Sequence, residues 1–591
     1  MSRPLVTLLT LLVLALTGCV SLPRSGEVQS APAGDEASDS DSPFVYTPAG
    51  PSPGDSPVDI VDGFLQAMTA TPVATAPRFA GKFLTDAANS AWAPEKRTVI
   101  YASESSGFTG NLVTVRLGDV VGLDGRGEWL GDSGKDTDVR YRLELVKEKG
   151  QWRISNPPDA LVIPQSHFES RYQQYLLYFF DKSAQVLVPE PVYLPRGEQT
   201  PTMLIRGLLR GPDQDLLGVE RTFIPADTEL EISVPVSRDG TAEVPLSDEV
   251  LELDDEALEL ALAQLGWTLR QVPGLERMKL TVDGSPLNIA GEGEELDVLD
   301  WAEYDPSVNW ASQELFGIRD GKVVTLVGDQ ERRIAGLFGT ESLGLRSIAV
   351  DLPAEQVAGV TGAGTTALVA PRSRDAGEVP TTASAEVIYA GGTDLLKPAW
   401  DVYGQVWLVD RRVGGAVLSV VRNGEPTVLD APGISGEDVT AFVLSRDGTR
   451  LVAVIDGRRS DRLVVSRVMR TGDGTVRRVA PAEDLPVGAI EVDEIRDLAW
   501  RTPGSVVLLA GPMPGLSQVI VTLIDGSSAL GDVATNAEIF REEAERIVTS
   551  PSSGTALYVG TSNGQLFELA ANGRWTGTSI KGGLVSPTFV G

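Results

Sequence analysis

The chain offers few side chains that could act as nucleophiles or bind transition metals. Its 591 residues include one cysteine, Cys19, and one histidine, His167. A typical zinc site needs several Cys or His ligands, so this composition excludes one. One cysteine also excludes an internal disulfide, and the cysteine count therefore does not indicate the redox compartment. The chemistry of Cys19 has to be inferred from its neighbours.

Cys19 follows a short apolar N-terminus. After one positive charge, residues 5–16 are apolar or threonine, whereas a membrane-spanning helix needs about 20 such residues. This length predicts a signal peptide over residues 1–18. In "LTGC" the small residues give a peptidase access to the backbone, and the thiol is a nucleophile for a diacylglyceryl group. The pattern resembles the lipobox of bacterial lipoproteins and predicts signal cleavage between Gly18 and Cys19 and lipidation of Cys19, with palmitate among the acyl chains.

The charge balance limits the partners of the chain. The formal net charge of −32 argues against nucleic acid as a partner and against adhesion of the protein body to an anionic membrane. With 42% hydrophobic and 22% charged residues, the chain has the composition of a globular protein, and its length predicts two to four domains. Residues 19–57 are rich in proline and acids, which predicts a disordered tether after the lipidated cysteine.

Residues 58–165 predict an α+β domain. The apolar residues of "VDIVDGFLQAM" share one helix face, and "RFAGKFLTDAANSAW" predicts a second helix. Several strand-like stretches follow. Helices followed by a curved antiparallel sheet are similar to the NTF2-like fold. Such folds often have a cavity, but no convergent set of polar residues is evident for one.

Residues 166–302 predict a second α+β domain. A helix is expected to begin near residue 200, a hairpin to turn at 239–240, and "DDEALELALAQLGW" to form a helix with an acidic first turn. A strand, "RMKLTVDGSPL", follows. This order, together with "LLRGP" and "DGTAEVPLS", resembles the GerMN domain.

Residues 303–591 predict an all-β propeller. Short apolar motifs recur every 44 to 56 residues when they are aligned on five anchors, Val350, Trp400, Leu444, Trp500 and Thr549. This period fits four-stranded blades and is too long for solenoid repeats. The pattern predicts five or six blades. The two tryptophans are predicted to pack between blades rather than to stack on a ligand.

Two serine motifs lack the surroundings that a hydrolase needs. Residues 560–564 match G-x-S-x-G, but that motif requires a strand–turn–helix setting and a later histidine, whereas His167 lies upstream. The Asn-Gly pair in this segment predicts a hairpin turn instead. "GDSG" at 131–134 also precedes His167, which reverses the trypsin-like order, and it predicts a polar loop. His167 itself is predicted to be a packing or surface residue.

The many acidic residues leave alternatives open. Asp132, Asp136 and Asp138 do not follow the spacing of an EF-hand, so a calcium site is not expected there. The acid-rich run 249–259 is predicted to be a solvated helix face, with a docking surface for a basic partner as the alternative. Paired carboxylates for glycoside hydrolysis are not excluded by their number. No catalytic residue, metal ligand or cofactor is predicted.

The complete arrangement resembles the LpqB family of actinobacterial lipoproteins. The resemblance rests on the lipobox, "CVSLPRSGEV", "WRISNPPDALVIP" and the order of a GerMN-like domain and a propeller. It implies a non-enzymatic protein that acylated Cys19 anchors to the outer face of the cell membrane. It also implies binding to the sensor kinase MtrB and modulation of the response regulator MtrA, in support of cell-envelope homeostasis and division. A binding module for cell-wall glycan or peptide is the alternative, and a hydrolase that uses carboxylates is the third hypothesis.

Overall fold

The computed structural model of the chain describes residues 45–131, 138–213, 216–289, 293–308, 310–328, 330–372, 384–487, 492–513, 515–527 and 538–591. Residues Val45–Gly591 form one unit. Gly18 and Cys19 lie outside the described residues, and so do Asp132 and Asp136. Within these ranges, no helix is both long enough and apolar enough to cross a membrane.

The N-terminal part, residues 45–164, packs short helices on two sheets. Its helices are α1 Pro57–Ala67, α2 Ala76–Ala80 and α3 Asp86–Ala91. Its strands are β1 Arg97–Tyr101, β2 Ser103–Thr109, β3 Leu112–Gly118, β4 Val121–Asp124, β5 Val139–Glu148, β6 Gln151–Ile154 and β7 Leu161–Pro164. They form the sheets β2-β3-β5-β6 and β4-β1-β7. The predicted α+β class is confirmed, and the NTF2-like likeness stays a prediction.

Local sequence explains where these helices begin and end. The Ser56 side chain accepts the amide of Asp59, and the Asp59 side chain accepts the amide of Ser56, which together form a capping box before Pro57. The apolar face predicted for this helix is buried. The single helix predicted for "RFAGKFLTDAANSAW" is wrong, because α2 ends before a 3₁₀ turn. The Thr85 hydroxyl then accepts the amide of Ala88 and starts α3 as a separate helix.

The middle part, residues 165–297, is also α+β. Its helices are α4 Gln165–Arg171, α5 Thr200–Leu209 and α6 Asp255–Leu269. Its strands are β8 Tyr172–Asp181, β9 Leu187–Pro195, β10 Glu220–Arg221, β11 Thr241–Leu246, β12 Arg277–Val282, β13 Ser285–Pro286 and β14 Leu296–Asp297. One sheet is β10-β8-β9, and the other is built on β11 and β12. Helices α5 and α6 therefore lie where the sequence predicts them.

The predicted hairpin at 239–240 forms only in part. The segment before the turn contacts β11 through two isolated antiparallel bridges, Leu230 to Leu246 and Val236 to Ala242. The continuous partner of β11 is β12, which runs parallel to it. The upstream segment is largely exposed and contains Pro235, which has no amide hydrogen to donate. It therefore does not form a regular strand.

The C-terminal part, residues 315–591, consists of sheets of four or five strands. The sheets are β17-β16-β15-β39, β18-β19-β20-β21, β22-β23-β24-β25, β26-β27-β28-β29 with β30, β31-β32-β33-β34 and β35-β36-β37-β38. The strands are β15 Leu315–Arg319, β16 Lys322–Val327, β17 Gln330–Arg333, β18 Leu345–Val350, β19 Gln356–Thr361, β20 Thr366–Pro371, β21 Glu386–Ala390, β22 Ala399–Trp400, β23 Val406–Arg412, β24 Gly415–Arg422, β25 Glu425–Leu429, β26 Val439–Leu444, β27 Arg450–Ile455, β28 Arg462–Arg470, β29 Val476–Val479, β30 Glu483–Asp484, β31 Ile495–Thr502, β32 Ser505–Met513, β33 Leu516–Leu523, β34 Glu538–Phe540, β35 Ala544–Val548, β36 Tyr558–Thr561, β37 Leu566–Leu569, β38 Trp575–Gly577 and β39 Val585–Thr588, with one short helix, α7 Leu337–Thr340. The described residues thus hold six blade-like sheets.

The predicted repeat marks the innermost strand of each later sheet. The anchors Val350, Trp400, Leu444 and Trp500 lie on β18, β22, β26 and β31, and Thr549 directly follows β35. Both tryptophans are buried in clusters between neighbouring sheets, as predicted. The first sheet takes its innermost strand, β39, from the C-terminus, so both ends of this part close the ring.

The middle part packs on one end of the propeller. The side chain of Glu190 on β9 pairs with Arg450 and Arg467, and Tyr403 donates to Asp181 on β8 at 2.6 Å. Arg450 and Tyr403 lie near turns that follow the innermost strands, so this end of the ring is covered. The N-terminal ends of the innermost strands face away from these contacts.

Candidate ligand site in the propeller channel

A cavity of about 560 Å³ lies where the innermost strands meet. Its lining comes from β18, β22, β26, β31, β35 and β39, and from the loops before them. This volume is within the range of small-molecule sites, about 300–1,000 Å³. The cavity is therefore the principal candidate site among the described residues.

Charged side chains occupy equivalent positions in three of the blades. Lys397, Asp497 and Arg546 each lie three residues before an anchor of the repeat, and all three line the cavity. We call these three residues the charged rung. A β-bulge between Ile495 and Asp497, and another between Ala544 and Arg546, interrupts strand pairing just before the rung. Bulges redirect the next side chain, which explains how strand residues come to project into the channel.

The rung holds two cations and one carboxylate. The Asp497 side chain accepts the amides of Leu498 and Ile547, at 3.0 and 3.1 Å. Burial raises the pKa of Asp497 against the opposing effect of Arg546 and Lys397. Two cations therefore share one acid that is already engaged by backbone donors.

Lys397 is the least satisfied cation of the rung. Its side chain is exposed to the solvent of the channel, and among the described residues it makes no hydrogen bond or ion pair. Its position inside the channel, together with the charge of Arg546, lowers the pKa of Lys397, while Asp497 opposes the shift. An anion in the channel would relieve this unfavourable environment.

Further arginines surround the rung. Arg346 and Arg411 both pair with the carboxylate of Asp394, and Arg346 does so at 2.6 Å. Arg496 pairs with Glu494 at 3.0 Å and therefore adds little free charge. The mouth of the cavity is thus rich in guanidinium groups, several of which are already neutralised.

Arg446 lies at the covered end of the channel. Its guanidinium donates to the carbonyl oxygens of Ser307 and Val590 and to the Ser552 hydroxyl, at 2.8 to 3.2 Å. Its Nε has no hydrogen-bond partner among the described residues. Burial lowers the pKa of Arg446 to about 10, and Asp305 opposes this effect. A buried cation without a directly paired carboxylate thus closes the channel.

Uncharged polar atoms of the lining are also unpaired. Ser347 Oγ, Thr440 Oγ1 and Trp500 Nε1 are buried without a hydrogen-bond partner among the described residues. Most buried polar atoms in proteins have a partner, so such a group of exceptions calls for an explanation. A bound molecule is one source of the missing partners.

A buried carboxylate pair lies outside this cavity. Glu190 and Glu220 both contribute to the interface between the middle part and the propeller. Against the effect of burial, Arg467 and Arg450 lower the pKa of Glu190 to about 2, whereas burial and the charge of Glu190 raise the pKa of Glu220. Divergent pKa values are typical of catalytic acid–base pairs. Here arginines surround the two carboxylates, and neither carboxylate lines a cavity described here, so the pair forms part of an interface.

A second carboxylate cluster already contains a cation. Oxygens of Asp124, Glu128 and Asp213 lie within 4.8 Å of one another. The guanidinium of Arg126 lies 3.4 Å from Asp124 and 2.5 Å from Asp213, and it also pairs with Glu128. Burial and a hydrogen bond with Asp213 raise the pKa of Glu128 to about 8. Arg126 therefore takes the place of a metal ion and joins the N-terminal and middle parts.

A shallower cavity of about 420 Å³ lies on the N-terminal part. It is lined mainly by α1, by β2 and by Tyr101, whose hydroxyl donates to Glu104 at 3.0 Å. The sequence suggested no polar residues that would converge there. The polar residues that line it lack a buried unpaired atom, so the propeller channel is the stronger candidate.

The other sequence motifs fall at separate places. His167 lies on α4, half-buried, and does not line either cavity. Gly560 and Thr561 end β36, and residues 562–564 lie in the turn before β37, which confirms the predicted hairpin. This turn does border the channel. Glu249–Glu252 lie in a 3₁₀ turn, and most of the acid-rich run is exposed, as predicted.

The charged rung was missed in the sequence. Its successive members are separated by 100 and 49 residues and share no local motif. The repeat itself contained the signal, since position −3 from each anchor reads Ser347, Lys397, Ala441, Asp497 and Arg546. Aligning the blades on their anchors places these charged residues at one shared position.

Comparisons with known proteins cover all three parts of the chain. The model "Lipoprotein LpqB, N-terminal domain" matches residues 50–169, and "Lipoprotein LpqB beta-propeller domain" matches residues 321–530. Between them, "Sporulation and spore germination" matches residues 176–288. Lipoprotein LpqB of Thermobifida fusca is 26% identical over 609 residues, covering 93% of each chain. The chain belongs to the LpqB lipoprotein family.

Other relatives agree with this assignment. Lipoprotein LpqB of Mycobacterium ulcerans is 28% identical over 519 residues and covers 83% of this chain and 84% of its own. Among solved structures, the first GerMN domain of the sporulation protein GerM from Bacillus subtilis is 27% identical. It covers 21% of this chain and 94% of that domain, with a TM-score of 0.18. The three family models confirm the predicted LpqB family, GerMN domain and propeller, while the exact domain limits stay predictions.

Proposed function

We propose that the mature chain is a lipid-anchored binding protein on the outer face of the cell membrane, where it binds and modulates a two-component sensor kinase. Membership of the LpqB lipoprotein family is the observation that carries this proposal. The lipobox-like residues before Cys19 support the anchor. In this proposal the protein acts by contact, without catalysis, in support of cell-envelope homeostasis and division.

The distribution of charge supports a role in recognition. The paired carboxylates Glu190 and Glu220 are held inside an interface, and the cluster around Arg126 joins two parts of the chain. These acids therefore stabilise the arrangement of the parts. A fixed arrangement presents a preorganised surface, which lowers the entropic cost of binding a partner.

Capture of the kinase tests the proposal directly. The detergent-solubilised lipoprotein, immobilised, is expected to retain the purified extracellular domain of the kinase and to leave the same domain of an unrelated kinase unbound. In vesicles that contain the full kinase, adding the lipoprotein should change the rate of autophosphorylation. Failure of the folded lipoprotein to retain the domain would refute the kinase as its partner.

A Cys19→Ser variant tests the anchor separately. The hydroxyl cannot take the place of the thiol in acyl transfer, so this variant should lose labelling by a palmitate analogue and leave the membrane fraction. It should still capture the kinase domain in vitro, because Cys19 lies at the end of the tether. Ser21→Ala is the matched control and should behave as the parent protein.

The channel supports a binding module for a cell-wall component as a second candidate. Recognition of glycan by stacking requires exposed aromatic side chains at the mouth. Among the described residues, the exposed phenylalanine and tryptophan side chains are Phe108 and Trp310, and neither lines the channel. This observation counts against stacking on glycan and leaves charged or polar ligands as the better fit for the cavity.

A further inference from the structure

The propeller channel concentrates positive charge in a strongly acidic chain. The formal net charge of the whole chain is −32, yet the charged residues that line the cavity are six cations and three acids. The acids are Asp394, Asp497 and the exposed Glu545. A cleft of one sign with walls of low dielectric focuses its field on ligands of the opposite sign. The excess of positive charge therefore favours an anion as the ligand of this cavity.

The charged rung is the part of the cavity with unmet interactions. Asp394 forms ion pairs with two arginines, and Arg496 forms ion pairs at the mouth with Glu494 and Glu543. By contrast, Asp497 is the one carboxylate of the charged rung that offsets the charges of Lys397 and Arg546. Its oxygens already accept two backbone amides. One further anion would neutralise the remaining positive charge of the charged rung.

Neutral donors complete the same region. Ser347 lies at the position of the rung in its own blade, and Thr440 directly precedes that position in another. Both hydroxyls are buried without a partner among the described residues. Hydroxyl and ammonium donors together suit oxygen atoms that carry negative charge.

We propose that the propeller channel binds a small anionic molecule, whose carboxylate or phosphate oxygens are held by Lys397 and Arg546, with the Ser347 and Thr440 hydroxyls as further donors. The ligand enters from the end opposite the middle part, because Arg446, held by the carbonyl oxygens of Ser307 and Val590, closes the other end. The cavity volume limits the ligand to a small molecule. This proposal does not depend on the kinase as a partner.

Calorimetric titration of the detergent-solubilised full chain tests the proposal. Citrate serves as the carboxylate probe and inorganic pyrophosphate as the phosphate probe, in separate titrations at low ionic strength. Binding of either probe is expected, and the stronger of the two identifies the oxygen chemistry. Absence of binding of both probes at millimolar concentration, with protein shown to be folded by its melting curve, would overturn the proposal.

Variants of the rung locate the bound anion. Lys397→Gln and Arg546→Gln should each weaken binding about tenfold or more, since each removes a charge-assisted hydrogen bond. Asp497→Asn should strengthen binding several-fold, because it removes the competing carboxylate. A gain in affinity cannot result from a damaged fold, so this variant keeps the test decisive.

Arg574→Gln is the matched control. Arg574 is exposed in the turn between β37 and β38 and lies outside the cavity, and its side chain makes no hydrogen bond or ion pair among the described residues. The affinity of the Arg574→Gln variant for the probe should equal that of the parent protein. If Arg574→Gln weakens binding as much as Lys397→Gln does, the anion is attracted by surface charge in general, and the channel is not its site.

Discussion

His167 shows how the surroundings of one side chain set its chemistry. It is the single histidine of the chain, and its Nε2 is buried without a hydrogen-bond partner among the described residues. Burial, with a smaller contribution from Arg171, lowers the pKa of His167 to about 4 from an ordinary value of 6.5. A base with such a low pKa is neutral at physiological pH. The sequence-based view of His167 as a packing residue fits this environment.

Proton NMR can follow this imidazole without ambiguity. With one histidine in the chain, the imidazole Cε1 proton gives a single titrating signal when the protein is purified without a histidine tag. Its midpoint is expected near pH 4. A midpoint near 6.5 would mean that the ring is solvated.

The same shift predicts how stability depends on pH. Between pH 6.5 and about 4 the unfolded chain binds a proton at His167 that the folded chain does not bind. The free energy of unfolding should therefore decrease as the pH falls through this window. In His167→Gln this contribution is absent, so the difference in melting temperature between variant and parent should grow in favour of the variant toward pH 4. A difference that is constant with pH would contradict the prediction.

At this residue scale, sequence reasoning could interpret isolated residues but missed the assembled ones. Cys19 and His167 are unique in the chain, so each could be interpreted from its neighbours alone. Lys397, Asp497 and Arg546 acquire their meaning only when three blades meet around one channel. Their common place in the channel depends on ring closure, which local periodicity does not describe.

At the scale of elements, local signals predicted the helices better than the strand partners. The capping box at Ser56 and the N-cap at Asp254 mark the starts of α1 and α6, and both are visible in the sequence. The parallel pairing of β11 with β12 joins strands separated by a whole helix. Such long-range pairing leaves no mark in either strand, whereas the nearby turn at 239–240 indicated only the partial, antiparallel partner of β11.

Closure of the propeller by β39 predicts a large effect of changes at the C-terminus. Strand β39 fills the inner position of the first sheet, and Phe589 directly after it is buried against Leu315 and Leu566. Removal of residues 585–591 would expose the edge of β15 and open the ring. The truncated chain is expected to melt at a lower temperature and to aggregate, because open edges pair with other chains.

Two point variants measure how much individual side chains at the C-terminus contribute to this stability. Phe589→Ala should cost about 3–5 kcal/mol, as large-to-small core substitutions do, and should lower the melting temperature by on the order of 5–10 °C. Val585→Ala is the control on the same strand, since Val585 is 50% exposed and its truncation should change the melting temperature little. Equal melting of all three variants and the parent would show that β39 does not hold the ring together.

At the scale of the whole molecule, buried ion pairs fix the middle part on the propeller. Arg450 on β27 is 1% exposed and lies 2.5 Å from Glu190 on β9 and 3.5 Å from Asp447. Such pairs specify one geometry, because each charge is costly to bury unless its partner is in place. This arrangement keeps the covered end of the channel closed and leaves the opposite end free for a ligand.

Loss of Arg450 is therefore expected to weaken the molecule at this interface. Arg450→Met leaves the carboxylates of Asp447 and Glu190 buried with fewer partners, which should cost about 3–5 kcal/mol. Arg462→Met on the neighbouring strand β28 is the matched control, since the side chains of Arg462 and Asp484 are 51% and 69% exposed and such pairs contribute about 1 kcal/mol or less. Calorimetric melting should show an earlier first transition for Arg450→Met, and limited proteolysis should show faster cleavage between the middle part and the propeller. If Arg450→Met and Arg462→Met melt alike and resist cleavage alike, the buried cluster does not hold these two parts together.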